Sequence, residues 1–119
     1  MWNFEDDLAA RNQLVANIAT LLAAGQYGEL ERLSEGNRLS RSEMETAITS
    51  YGRRLLPLPH NVLEEIDYVA FVGAKPARWS VAVPLFTKEE GRSDLSLELT
   101  LIEQGEYRYA VEIDNIHVR

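Results

Sequence analysis

Apolar positions recur at helical spacing in the first half of the chain and alternate with polar ones in the second. Leu8, Val15, Ile18 and Leu22 share one helical face, and Leu14 and Leu21 widen it, which predicts a helix over residues 4–24. Glu5, Asp6 and Asp7 fall in its first turn, where carboxylates complement the helix dipole, and Gly25 supplies the stop. Tyr27, Leu30 and Leu33 make a second, short stripe over 27–34, broken by Glu35-Gly36-Asn37. Ser40 and Glu43 match a Ser-x-x-Glu capping box. They open a third helix over 41–51 that carries Met44, Ala47, Ile48 and Tyr51 on one face, and Gly52 closes it.

Leu56-Pro57-Leu58-Pro59 cannot continue a helix, because each proline lacks an amide donor and restricts the residue before it. The stretch through Glu65 therefore reads as a hinge, after which the period becomes two. Residues 66–73 read as a first strand. Trp79, Val81, Val83 and Leu85 define a second, Leu95, Leu97, Leu99 and Leu101 a third, and Tyr107, Tyr109, Val111 and Ile113 a fourth. Gly73-Ala74-Lys75-Pro76, the polar stretch Lys88 to Asp94, and Gln104-Gly105-Glu106 are the connections, short enough to pair successive strands antiparallel. After Ile113 the alternation slips by one residue, since the next apolar positions are Ile116 and Val118, which predicts a β-bulge near Asp114-Asn115. The expected fold class is α+β in one domain over 1–119. A helical half (1–55) covers the leucine face of a curved four-stranded antiparallel meander (66–118), arranged as a cone or roll.

Charge narrows the function classes. The 119 residues carry 19 acidic and 12 basic side chains, a formal net charge of −7. Such a chain repels a phosphate backbone, so nucleic-acid binding is not expected. It attracts a basic partner, although an acidic surface also serves plain solubility. There is no cysteine, which removes disulfides and thiolate metal sites and fits a reducing compartment. No apolar run approaches the roughly 18 residues of a membrane span. The amino terminus lacks the basic start and apolar run of a signal peptide, and the expected location is cytoplasmic.

Three stretches carry a family resemblance. They are Arg78-Trp79-Ser80-Val81-Ala82-Val83-Pro84-Leu85-Phe86-Thr87, Gly91-Arg92-Ser93-Asp94-Leu95-Ser96-Leu97-Glu98-Leu99, and Tyr109-Ala110-Val111-Glu112-Ile113-Asp114-Asn115-Ile116-His117-Val118. From about Tyr27 to Val118 the chain resembles a family of short bacterial proteins with no assigned activity. Its helices-then-meander order is similar to the nuclear-transport-factor-2-like or SnoaL-like cone. That resemblance implies a ligand site between sheet and helices. Catalytic cone proteins usually place an Asp-His pair or similar acid/base set there, and no such pair maps onto this sequence.

The candidate sites are few. Glu98, Glu112 and Asp114 fall on the last two strands, the first two on the outer sheet face. They read either as a solvated face offset by Arg108 or as an acidic patch for a basic partner. Trp79, Tyr107 and Tyr109 read as inward aromatics, either core or the lining of a pocket that Tyr51 would join. His60 and His117 read as surface histidines, and no spacing suits a metal. Arg53-Arg54 and the group Arg32, Arg38 and Arg41 read as structural. The Lys88–Asp94 stretch reads as a solvated turn or a binding loop. No catalytic set and no cofactor is expected. Three functions follow: a non-enzymatic acidic binding protein of the immunity or antitoxin kind, a small-molecule-binding or enzymatic cone, and a homodimer through the outer sheet face, where Ser80, Ala82, Pro84, Thr100 and Ala110 are small or neutral.

Overall fold

The computed structural model describes residues 4–119. The helical half comprises α1 (Phe4–Ala23), α2 (Tyr27–Leu33) and α3 (Arg41–Tyr51). The capping box at α3 is complete. Glu43 N–H donates to the Ser40 hydroxyl at 3.2 Å and Ser40 N–H donates to the Glu43 carboxylate at 3.0 Å. Those bonds hold the Glu43 carboxyl below its usual range. Gly52 ends the helix in the left-handed region at φ 73°, which glycine adopts without a Cβ clash.

An antiparallel sheet follows, so the fold class is α+β as the sequence predicts, with details of the sheet half that differ. The strands are β1 (Leu55–Leu56), β2 (Val69–Ala70), β3 (Arg78–Thr87), β4 (Gly91–Gly105) and β5 (Arg108–Val118), and α4 (His60–Leu63) lies between β1 and β2. β2, β3, β4 and β5 pair in sequence order, all antiparallel, so the meander stands. β1 joins the same edge of β3 at its far end, opposite Phe86 and Thr87.

The hinge is thus not featureless. Its first residues add a strandlet, and Pro59 precedes a single helical turn, a place where its missing amide costs nothing. The first predicted strand shrinks from 66–73 to two residues. Its β-forming side chains find nothing to cover them: Val69, Phe71 and Val72 are exposed, and Gly73 turns the chain away at φ 73°. The 88–94 loop is also shorter than predicted. The Thr87 hydroxyl accepts from Glu90 N–H at 3.0 Å, which closes a three-residue turn so that β4 begins at Gly91. Tyr107 lies in the β4–β5 turn at φ 57° rather than in a strand.

The bulge falls where the phase slip puts it. Glu98 pairs with Asn115 and Leu99 with Ile113, which leaves Asp114 as the extra residue and returns Ile116 to the inner face. That face is the core. Val81, Val83 and Leu85 of β3, Leu95, Leu97, Leu99 and Leu101 of β4, and Val111, Ile113 and Ile116 of β5 pack under Val15, Ile18 and Leu22 of α1, Leu30 of α2, and Met44 and Ile48 of α3. Each fully buried leucine contributes about 1.5–3 kcal/mol, so the β4 leucines anchor the sheet to the helices. Among the described residues no helix is long and apolar enough to cross a membrane.

Candidate functional site

On the side of the sheet away from the helices, strand register sets the geometry. Thr100 of β4 lies opposite Glu112 of β5, Glu98 opposite Asn115, and Ser96 opposite His117. The bulge swings Asp114 over Thr100, whose hydroxyl donates to Asp114 Oδ2 at 2.7 Å. Asp114 Oδ1 lies 3.4 Å from Arg38 Nε, and Glu112 Oε1 lies 3.8 Å from it. Arg38 comes from the α2–α3 connection, held against β5 because Leu39 N–H donates to the Ile113 carbonyl at 3.1 Å. Glu98 meets His117, with Oε2 and Nε2 2.6 Å apart. The three predicted carboxylates are therefore brought to one face, with each held by a named neighbour.

The neighbours are not the ones the sequence suggests. Arg108 does not offset the carboxylates; its guanidinium folds back over Gly105 at the hairpin. Arg38 does so from more than seventy residues upstream, a separation that strand alternation cannot reveal. His117 points away from Ile116, as its position predicts, and gains Glu98 as its partner. Ser96 and Thr100 face outward yet are buried, because Pro84 and His117 flank the first and Ser80 and Glu112 the second. The Ser96 hydroxyl has no hydrogen-bond partner among the described residues.

The predicted aromatic group divides. Trp79 and Tyr109 meet edge to face, ring centres 5.6 Å apart. Tyr51 lies at the other end of the sheet, where its hydroxyl donates to Glu90 Oε2 at 2.9 Å, and Tyr107 sits in the turn. In place of an empty pocket, the Trp79–Tyr109 end holds Arg11 of α1, only 4 % exposed. Its guanidinium carbon is 4.5 Å from the centre of the Trp79 ring, 4.9 Å from that of Tyr68 and 5.9 Å from that of Tyr109. Arg11 Nη1 donates to Asp7 Oδ2 at 2.7 Å and to the Tyr109 hydroxyl at 3.2 Å, and that hydroxyl donates to Asp7 Oδ1. The Tyr68 hydroxyl donates to Asn12 Oδ1 at 2.7 Å. Burial pushes the ionisation of Tyr68 and Tyr109 well above the usual tyrosine range, and the bond to Asp7 adds to the shift of Tyr109.

Sequence reasoning missed Asp7 and Arg11. The signal was present: with Val15, Ile18 and Leu22 they complete the buried stripe of α1, two charged residues four apart at positions where the period demands burial. An open groove of about 490 Å³ flanks this cluster, between Gln13, Leu14 and Asn17 of α1 and the Tyr107–Tyr109 segment. Among the described residues no three His, Asp or Glu side chains converge as a metal ion would require.

No curated protein and no solved structure matches the chain. A family described as a domain of unknown function (DUF7668) matches residues 19–119. The matched span contains Arg38, Glu98, Thr100, Glu112, Asp114 and His117, whereas Asp7 and Arg11 precede it. With most of its length so matched, the chain belongs to the DUF7668 family.

Proposed function

We propose that this is a non-enzymatic, cytoplasmic binding protein whose outer sheet face receives a basic protein partner, in the manner of an immunity or antitoxin protein. The observation that carries the reading is the convergence of Glu98, Glu112 and Asp114 on one face of paired strands, where Arg38 meets the last two and His117 meets the first. A rigid face with excess negative charge, on a chain of net charge −7, steers a basic partner and fixes its register. Arg38, 62 % exposed at its side chain, is free to swing aside and yield its carboxylates to an incoming lysine or arginine.

The helices over a curved sheet also fit the nuclear-transport-factor-2-like cone, whose ligand would enter between the layers. Here Arg11 and the β4 leucines fill that space, which favours the outer face over the interior. Self-pairing of two such faces would set like charges against each other, so the same carboxylates argue against a homodimer through the face.

Affinity capture from the protein's own cells tests the reading. The native chain is expected to retain a basic protein at low salt and release it as salt rises, because exposed charge pairs are screened. The isosteric variant E98Q/E112Q/D114N is expected to retain at least about tenfold less. Equal capture by the variant, or capture of no partner at low salt, would overturn it.

A further inference from the structure

We propose that the free edge of β5 pairs with the same edge of a second copy of the chain, antiparallel about a twofold axis at Ala110. The two sheet edges are managed differently. On β3, the edge is covered at both ends by β1 and β2, and Pro84 between them has no N–H to offer. On β5, among the described residues, the edge is met only at Ile113, where Leu39 donates to the carbonyl and Arg38 forms a bridge. In an antiparallel ladder alternate residues aim both backbone groups to the same side, so Tyr109 and Val111 share the outward direction of Ile113. Among the described residues no hydrogen bond reaches them from that side. Arg108 to Glu112 is thus a five-residue stretch of open ladder with no proline or glycine to blunt it, and the register shift beside it, at Glu103–Gly105, puts its extra residue on β4 and not on β5.

Parity and charge select the register. Outward-aimed residues must face outward-aimed residues, which Tyr109 opposite Val111 of the second copy satisfies. That pairing forms four backbone hydrogen bonds across the axis. It sets Ala110, small and half-buried, opposite its own mate at the close spacing of a non-hydrogen-bonded pair, about 4.5 Å between Cα atoms. It also places Arg108 opposite Glu112 twice, once on each side of the axis, so opposite charges meet at both ends of the stretch. The β4–β5 turn of each copy then abuts the Arg38–Leu39 segment of the other, where the ladder is already closed. The groove between α1 and Tyr107–Tyr109 lies beside this edge and would be covered by the second copy. The acidic faces of the two copies would lie on one side of a continuous sheet, side by side rather than opposed.

The chain has no cysteine, so one introduced thiol reports on the axis. The native protein is expected to sediment as a dimer at about 100 µM, and A110C to cross-link to a disulfide dimer on mild oxidation at least about tenfold faster than S42C, which lies exposed on α3. Adding R108E to A110C replaces two opposite-charge pairs with like-charge pairs and should slow the cross-linking by about tenfold. A native mass of one chain at that concentration, or A110C cross-linking no faster than S42C, would overturn the proposal. So would an R108E/A110C rate equal to that of A110C, since the register would then be wrong.

Discussion

Arg11 occupies a position where the helical period demands an apolar side chain, and its neighbours offset much of the cost although its Nε has no hydrogen-bond partner among the described residues. A buried cation alone would cost several kcal/mol in lost hydration. Asp7 supplies the opposite charge one turn away, and Tyr68, Trp79 and Tyr109 supply ring faces. The tyrosines bear the consequence. Because burial raises their ionisation in the folded state, the neutral hydroxyls stabilise the fold, and that contribution is complete below the unfolded value of about 10. It is lost as pH rises through the folded value, since only the unfolded chain then ionises freely. The urea midpoint is therefore expected to hold steady to about pH 9.5 and to fall at higher pH, and Tyr68→Phe should reduce the fall. A midpoint that stays level to about pH 11 would contradict the burial of these hydroxyls. At this scale the sequence is legible where one residue has one role, as at Ser40 and Glu43. It is opaque where a side chain's partner lies far along the chain, as for Arg38 with Asp114 or Glu98 with His117.

Helices and long strands were readable because period, cap and phase agree in them. α3 shows all three: its stripe buries Met44 and Ile48, its box is closed at the start, and Gly52 turns left-handed at the end. Replacing Ser40 with alanine removes one reciprocal bond and strands the Glu43 amide, which should cost about 1 kcal/mol in urea denaturation. A loss below a few tenths would mean that the cap is dispensable. The bulge was readable for a related reason. Burial of Ile113 and Ile116 on one face is incompatible with strict alternation, so one residue between them must leave the ladder, and that residue is Asp114. The short elements were not readable. β1, β2 and α4 owe their form to the edge of β3 and to the prolines beside it, not to any period of their own, and two residues cannot display a period.

As a whole molecule, the chain turns one sheet face to the helices and the other to the surroundings, and the two faces divide the work. Leucines and branched side chains fill the inner one. The outer one gathers Glu98, Glu112 and Asp114 where strand register and a bulge put them. The proposed function requires a basic partner to bind that outer face. The most direct measurement places a photo-cross-linking residue at Asn115, exposed on that face opposite Glu98, and at Glu35, exposed in the α2–α3 connection, in separate chains expressed in the protein's own cells. A covalent adduct with a basic protein from the Asn115 position, and none from Glu35, is the result the account predicts. Adducts of equal yield from both positions, or none from Asn115, would contradict it.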